Sequence, residues 1–178
     1  EAELTQQEAA SGESPFVNFW MHAGFLTVNG QKMSKSLGNF ITVDDLLKKM
    51  SADEFRMMLL MSHYRSPLDF ADQLCHTARK NLNDLRILLA KLQLARGSGA
   101  ALNLTLYATA YGDALNDDFN TPKSLGVLFD LMNVINKNVW LYSPDQTKEI
   151  ITFLTSSFAA FGITLTAPII PPEIQKLA

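Results

Sequence analysis

The chain has 178 residues, 47% hydrophobic and 19% charged, with 15 Lys and Arg against 18 Asp and Glu for a net charge of −3. That length and apolar content suffice for a buried core and exclude a disordered chain, a collagen and a basic histone-like tail. A single cysteine, Cys75, excludes an internal disulfide framework and a Cys-rich zinc module, and points to a reducing compartment. No run of about 18 apolar residues is present to cross a bilayer. The chain opens Glu1-Ala2-Glu3-Leu4 with neither Met nor a basic leader, as expected for a processed chain or a piece of a larger one.

Residues 1–13 read as a short polar helix end running into the breaker cluster Ser11-Gly12-Glu13-Ser14-Pro15. From Phe16 to Val28 the residues are largely aromatic, β-branched and apolar, and the run stops at Asn29-Gly30, a strong turn signal. A strand is predicted over 24–28, then a tight turn, then a loop from Gln31 to Asn39. Thr42 with Asp45 predicts a short capped helix ending near Met50. Ser51 with Glu54 forms a better capping box, opening a helix that turns Phe55, Met58 and Leu59 inward.

Tyr64 to Phe70 reads as a brief extended segment, and a long helix is predicted over about 71–96. Its Leu82, Leu85, Leu88, Leu89 and Leu92 hold the spacing of a core-facing stripe, and Arg96-Gly97-Ser98-Gly99 ends it in a flexible turn. Three more helices follow at about 101–115, 122–140 and 145–161. The second opens with Pro122 at its first position and carries Leu125, Leu128, Phe129, Met132, Ile135 and Val139 on one side. Four such helices on short loops bury their stripes as a bundle. Residues 163–172 form an extended tail with Pro168, Pro171 and Pro172, and Glu173 to Ala178 starts a further helix. The fold class is mainly α, with a minor strand component.

The chemistry concentrates in Lys32-Met33-Ser34-Lys35-Ser36. Two ammonium groups on a mobile loop, two hydroxyls and a downstream Gly38 can grip phosphate. Lysine is a point charge on a flexible stem, suited to a triphosphate that moves during reaction. A preorganised donor against a leaving pyrophosphate contributes about 3–4 kcal/mol to lowering the barrier. A lysine–serine loop without further context is usually a solvated turn.

This loop is similar to the signature loop of class I aminoacyl-tRNA synthetases. Its surroundings narrow the likeness: Phe19-Trp20-Met21-His22, Val28-Asn29-Gly30-Gln31, Ser62-His63-Tyr64-Arg65-Ser66-Pro67-Leu68 and Ala114-Leu115-Asn116-Asp117-Asp118-Phe119-Asn120-Thr121-Pro122 resemble the cysteinyl-tRNA synthetase family. The resemblance implies activation of cysteine with ATP and Mg2+ to the adenylate, and its transfer to the 3′ end of the tRNA for cysteine. It implies a cytoplasmic monomer without membrane contact. It also implies the end of a Rossmann catalytic domain over 1–15, a stem-contact segment with short strands over 16–66, an antiparallel anticodon-stem bundle over 67–162, and the start of a C-terminal extension over 163–178.

Carried over by that resemblance, Lys35 is the main pyrophosphate-stabilising lysine and Lys32 helps close the loop over ATP. Met33, Ser34 and Ser36 complete the ATP-binding stretch, the two hydroxyls either reaching phosphate or holding the turn. The family's HIGH-type motif is absent from the chain, and its zinc site is present only as Glu3, the match of a glutamate ligand. One carboxylate does not make a four-ligand zinc site. His22 and His63 are given structural roles, because adenylate formation by in-line attack of a carboxylate needs no side-chain base. Trp20 and Trp140 are expected in the core or at an interface.

For RNA the relevant charge is local. Between residues 74 and 96 lie Arg79, Lys80, Arg86, Lys91 and Arg96 against Asp84 alone. At 100° per residue the first four fall broadly opposite the leucine stripe, a basic face for tRNA phosphates or an ordinary solvated one. Asp113, Asp117 and Asp118 are not expected to touch RNA, and Asn120-Thr121-Pro122 reads as a helix start. Two other functions fit the same residues: the amino-sugar cysteine ligase of mycothiol synthesis, which shares the fold and loop, and a catalytically silent RNA-binding fragment.

Overall fold

The structure, a computed structural model, describes residues 2–34 and 36–165. Lys35, the three prolines at 168, 171 and 172, and the helix expected from Glu173 lie outside the described residues.

A polar helix, α1 (Ala2–Ser11), opens the chain and buries none of its residues. Next come β1 (Leu26–Val28) and β2 (Gln31–Lys32), antiparallel, with Thr27 opposite Lys32 and Val28 opposite Gln31. Asn29 and Gly30 have φ of 51° and 74°, the left-handed pair that a two-residue hairpin turn requires. The loop expected from Gln31 therefore starts two residues later, because so tight a turn delivers Gln31 and Lys32 directly into register. β3 (Leu68–Phe70) pairs in parallel with the other edge of β1, giving the order β2-β1-β3.

Between β1 and β3 the chain builds two helices. Thr42 caps α2 (Val43–Leu47), its hydroxyl accepting from the Asp45 N–H at 3.1 Å. This helix stops short of Met50, although Met50 itself is buried. Ser51 and Glu54 form the predicted capping box of α3 (Ala52–Leu60). Met57 and Met58 are fully buried, whereas Leu59 is 40% exposed. The inward assignment of Leu59 is corrected by helix phase: at 100° per residue it falls roughly 150° from the midpoint of the two methionines.

The remaining helices are α4 (Asp72–Leu94), α5 (Leu104–Asn116), α6 (Thr121–Asn138) and α7 (Pro144–Ala160), with a 3-10 turn at Val139–Leu141. The fold is thus mainly helical with one small mixed sheet. All five predicted α4 leucines are buried; on α6 Leu131 joins the predicted stripe, while Phe129 is half-buried. The α3 methionines lie in this same core. Asn103 and Asn120 cap α5 and α6, so α5 begins at Leu104 and Pro122 occupies the second helical position, not the first. Trp20 and Trp140 are exposed, so of the two places expected for them, core or interface, the core is excluded.

The turn after α4 is anchored, not flexible. Gly97 and Gly99 donate their N–H groups to the carbonyls of Tyr142 and Leu141, each at 2.9 Å. Gln146, whose side chain completes the α7 capping box, also accepts from the Ala100 N–H and donates to its carbonyl. A Cβ added at Gly97 would collide with the Leu141 backbone, whereas one added at Gly126 on α6 would meet nothing. Gly97→Ala should therefore cost at least about 2 kcal/mol. Gly126→Ala should gain about 0.5–1 kcal/mol from helix propensity. Urea denaturation of the two variants checks both signs.

Candidate functional site

The hairpin presents the lysine–serine stretch at its open end. Lys32, on β2, is exposed and carries its Nζ 5.7 Å from the centroid of the Phe25 ring, a cation–π contact that leaves the ammonium in water. Met33 and Ser34 are half-buried and Ser36 is exposed. The Ser34 hydroxyl accepts from the Leu37 N–H at 3.3 Å and lies 3.2 Å from the Ser36 hydroxyl, so both side chains serve the turn.

Asn39 closes this loop. Its Oδ1 accepts from the Ser34 N–H at 2.9 Å while its Nδ2 donates to the Lys32 carbonyl at 3.2 Å. One amide side chain thus replaces two ladder bonds where the strands have already parted. Sequence reading gave Asn39 no role; the available signal was an Asn directly after the turn glycine Gly38, a residue type that bonds local backbone.

The root of the hairpin is clasped from β3. The Asp69 Oδ1 accepts from the Gly30 N–H and from the Thr27 hydroxyl, both at 2.8 Å. The Gly30 N–H, and then Thr27, hold the Asp69 carboxyl below the usual range.

The four basic residues of α4 are not one patch. Arg79 turns toward α3, donating to Glu54 Oε1 at 2.9 Å and to the Lys49 carbonyl at 3.3 Å. Burial alone would raise the Glu54 carboxyl, but the Ser51 N–H and Arg79 outweigh it and hold it low. Lys80 pairs with Asp84 at 2.7 Å and Lys91 donates to Asn136 Oδ1 at 2.9 Å. These two lysines line a groove of about 510 Å³ between α4 and α6, with Ile87, Phe129 and Asn133. Arg86 is half-buried and has no side-chain hydrogen bond or ion pair among the described residues.

Glu3 sits in the first turn of α1, and no three His, Cys, Asp or Glu side chains come together as a metal site among the described residues. Cys75 is half-buried with its Sγ 3.8 Å from Met58 Sδ, and burial pushes its thiol up. His22 stacks on Trp20 and His63 on Tyr64, at ring separations of 6.3 and 4.9 Å.

A second polar cluster joins the segment before β3 to the α5–α6 turn. Arg65 donates through Nε to Asp118 Oδ2 and through Nη2 to Oδ1 at 3.1 Å, and the Tyr64 hydroxyl donates to Oδ1 at 2.7 Å. His63 Nε2 stands 3.9 Å away. Arg65 first, then Tyr64, hold the Asp118 carboxyl down at about 2.

Similarity to known protein families places this hairpin loop and helical bundle among the class I aminoacyl-tRNA synthetases. Residues 1–80 match the model of the tRNA synthetases class I (C) catalytic domain, and residues 110–166 match the DALR domain. Cysteine–tRNA ligases of a Geobacter species, Streptococcus equi subsp. zooepidemicus and Cupriavidus taiwanensis are 40%, 37% and 40% identical over 94%, 98% and 99% of this chain. The chain belongs to the cysteine–tRNA ligase family. It spans 37%, 37% and 39% of the length of those relatives. The LeuRS chain of a ternary LeuRS–tRNA–LeuAMS complex from Agrobacterium radiobacter shares the fold, with a TM-score of 0.66 at 21% identity over 79% of this chain and 20% of that one.

Removing the Asn39 amide frees the Ser34 N–H, so Asn39→Ala should speed hydrogen exchange at Ser34 by about fivefold, given about 1 kcal/mol per such bond. Exchange at the β1–β3 amides should not change. Asp118 has a depressed carboxyl, so its contribution to stability is complete above pH 3.8 and is lost as pH falls through about 2. Across that window the urea midpoint of the wild type should fall more steeply than that of Asp118→Asn.

Proposed function

We propose that the protein containing this chain is a cysteine–tRNA ligase, which joins cysteine to ATP as the adenylate, releasing pyrophosphate, and passes the cysteinyl group to the 3′ end of its tRNA. The observation that carries this function is the stretch Lys32–Ser36 at the open end of a clasped hairpin, within a chain 37–40% identical to such ligases across nearly all its residues. No described helix is long and apolar enough to cross a membrane. We place the protein in the cytoplasm as a monomer.

In adenylate formation a carboxylate oxygen of cysteine attacks the α-phosphorus of ATP, and the bond to the bridging oxygen of pyrophosphate breaks. Negative charge grows on the leaving group with no proton to accompany it, so fixed cations are the effective aid, with Mg2+ on the phosphates. Lys35 is assigned to that charge and Lys32 to closing the loop over ATP. Met33, Ser34 and Ser36 shape the loop, since the serine hydroxyls and the Ser34 N–H bond within it. The described residues do not fit a zinc ion: Glu3 is a single candidate ligand, and no step here uses zinc.

Residues 1–15 are assigned to the end of the catalytic domain, 16–66 to the stem-contact segment, 67–162 to the anticodon-stem bundle and 163–178 to the start of an extension. On the bundle, Lys80 and Lys91 in the α4–α6 groove, and Arg86 on another side of α4, are assigned to tRNA phosphates. Arg79 contributes charge from a fixed place against Glu54.

The whole protein should catalyse cysteine-dependent ATP–pyrophosphate exchange, and its absence would refute the ligase function. The 178-residue chain alone should catalyse none. Lys35→Ala in the whole protein should slow adenylate formation about a hundredfold or more while changing ATP binding by less than about threefold, because the contact strengthens in the transition state. Arg86→Glu with Lys91→Glu should weaken tRNA binding and flatten its salt dependence without altering exchange.

A further inference from the structure

The α5–α6 turn is unusual in its backbone. Asp118 and Phe119 adopt φ of 54° and 52°, two consecutive non-glycine residues in the left-handed region. Such a conformation persists only where its surroundings hold it, and strain of this kind concentrates where position matters. Here the Phe119 and Asn120 N–H groups bond back to the Leu115 and Ala114 carbonyls of α5, and a second hold comes from outside the bundle, through Arg65 and Tyr64 on the Asp118 carboxylate.

Beside this cluster the packing between the sheet-bearing segment and the bundle is incomplete, although Leu68 and Phe70 rest on the bundle core. An open apolar groove of about 590 Å³ lies between them, lined from one side by Gly24, Leu26 and Leu68 and from the other by Phe119 and Thr121. The Thr121 hydroxyl donates to the Leu60 carbonyl at 3.0 Å, and the polar clasp on Asp118 adds a further tie from the α5–α6 turn. From Arg65 the path to the loop is short. The Tyr64 carbonyl accepts from the Gly24 N–H at 2.7 Å, the Leu68 N–H donates to the Phe25 carbonyl at 2.9 Å, and β1 then carries the hairpin that holds Lys32.

We propose that Asp118 is a positioning residue that sets the angle between the helical bundle and the loop-bearing hairpin, and so places a bundle-bound tRNA relative to the aminoacyl adenylate. The assignment rests on the ligase function above. Asp118 and Arg65 side chains are 44% and 56% exposed, so solvent screens their pairing and its contribution to folding is modest beside its effect on geometry. Activation of cysteine needs only the catalytic part and the loop, whereas transfer needs both ends of the path in register.

The test uses the whole ligase with Asp118→Asn and Asp118→Glu. In Asp118→Asn, single-turnover transfer of cysteine to tRNA should slow about ten- to a hundredfold, the range that a misplacement of about 1 Å produces. Cysteine-dependent pyrophosphate exchange and tRNA affinity should stay within about twofold, and the melting temperature within about 2–4 °C. Asp118→Glu, which keeps the carboxylate, should recover most of the transfer rate. A proportional fall in exchange and transfer, or an unchanged transfer rate, overturns the positioning role. Spin labels carried by non-natural residues at Gln31 and Lys148 give a readout independent of the reaction. Their distance distribution should broaden in Asp118→Asn, and an unchanged distribution overturns the proposal. Absence of cysteine-dependent exchange in the wild type would refute the ligase function, a failure separate from that of the distance measurement.

Discussion

Leu26, Thr27 and Val28 lie parallel to Leu68, Asp69 and Phe70, and parallel strands cannot be joined by a tight turn. After the β1–β2 hairpin, residues 33–67 must therefore leave the sheet and come back to it, and most of the molecule's arrangement follows. On the way out the chain forms the lysine–serine loop, beyond β2 at the edge of the sheet farthest from β3. On the way back α3 drives Met57 and Met58 among the leucines of α4. The stretch that bears the most exposed chemistry thus also supplies part of the bundle's interior, and the two cannot fold independently of each other.

The loop itself shows how a polar device can be held without being buried. Its lysine reaches water from the end of a strand, while the backbone behind it is tied by Asn39 and the hairpin root by Asp69. Rigid base and free ammonium are complementary demands. A cation that must follow a moving phosphate needs rotamer freedom, and its backbone must not wander with it.

Long periodic elements were legible from the residues alone. The five α4 leucines and the capping box at Ser51 fell where spacing and cap chemistry place them, because both signals are local. Errors occurred where a distant partner decides. Leu59 is turned outward by the phase at which α3 meets α4, and the glycine turn at 97–99 is pinned by Leu141 and Tyr142, far along the chain. Arg79 joined a basic face by helical angle yet faces Glu54, on another helix. Within the site, the lysine–serine stretch was readable as a motif. Asn39 and Asp118 were not, since each acts through hydrogen bonds whose partners a one-dimensional pattern does not reveal.

The aromatic run before β1 has a further consequence. Phe19 is 90% exposed and Phe25, Trp20 and Met21 are also on the surface, within a few positions of one another on a chain whose net charge is only −3. Electrostatic repulsion between copies is then weak, while the apolar area open to self-association is concentrated. For this stretch of chain in isolation, colloidal behaviour is governed by that surface and not by the bundle's conformational stability. Turbidity on concentration would report sticking of folded molecules, with the leucine core intact.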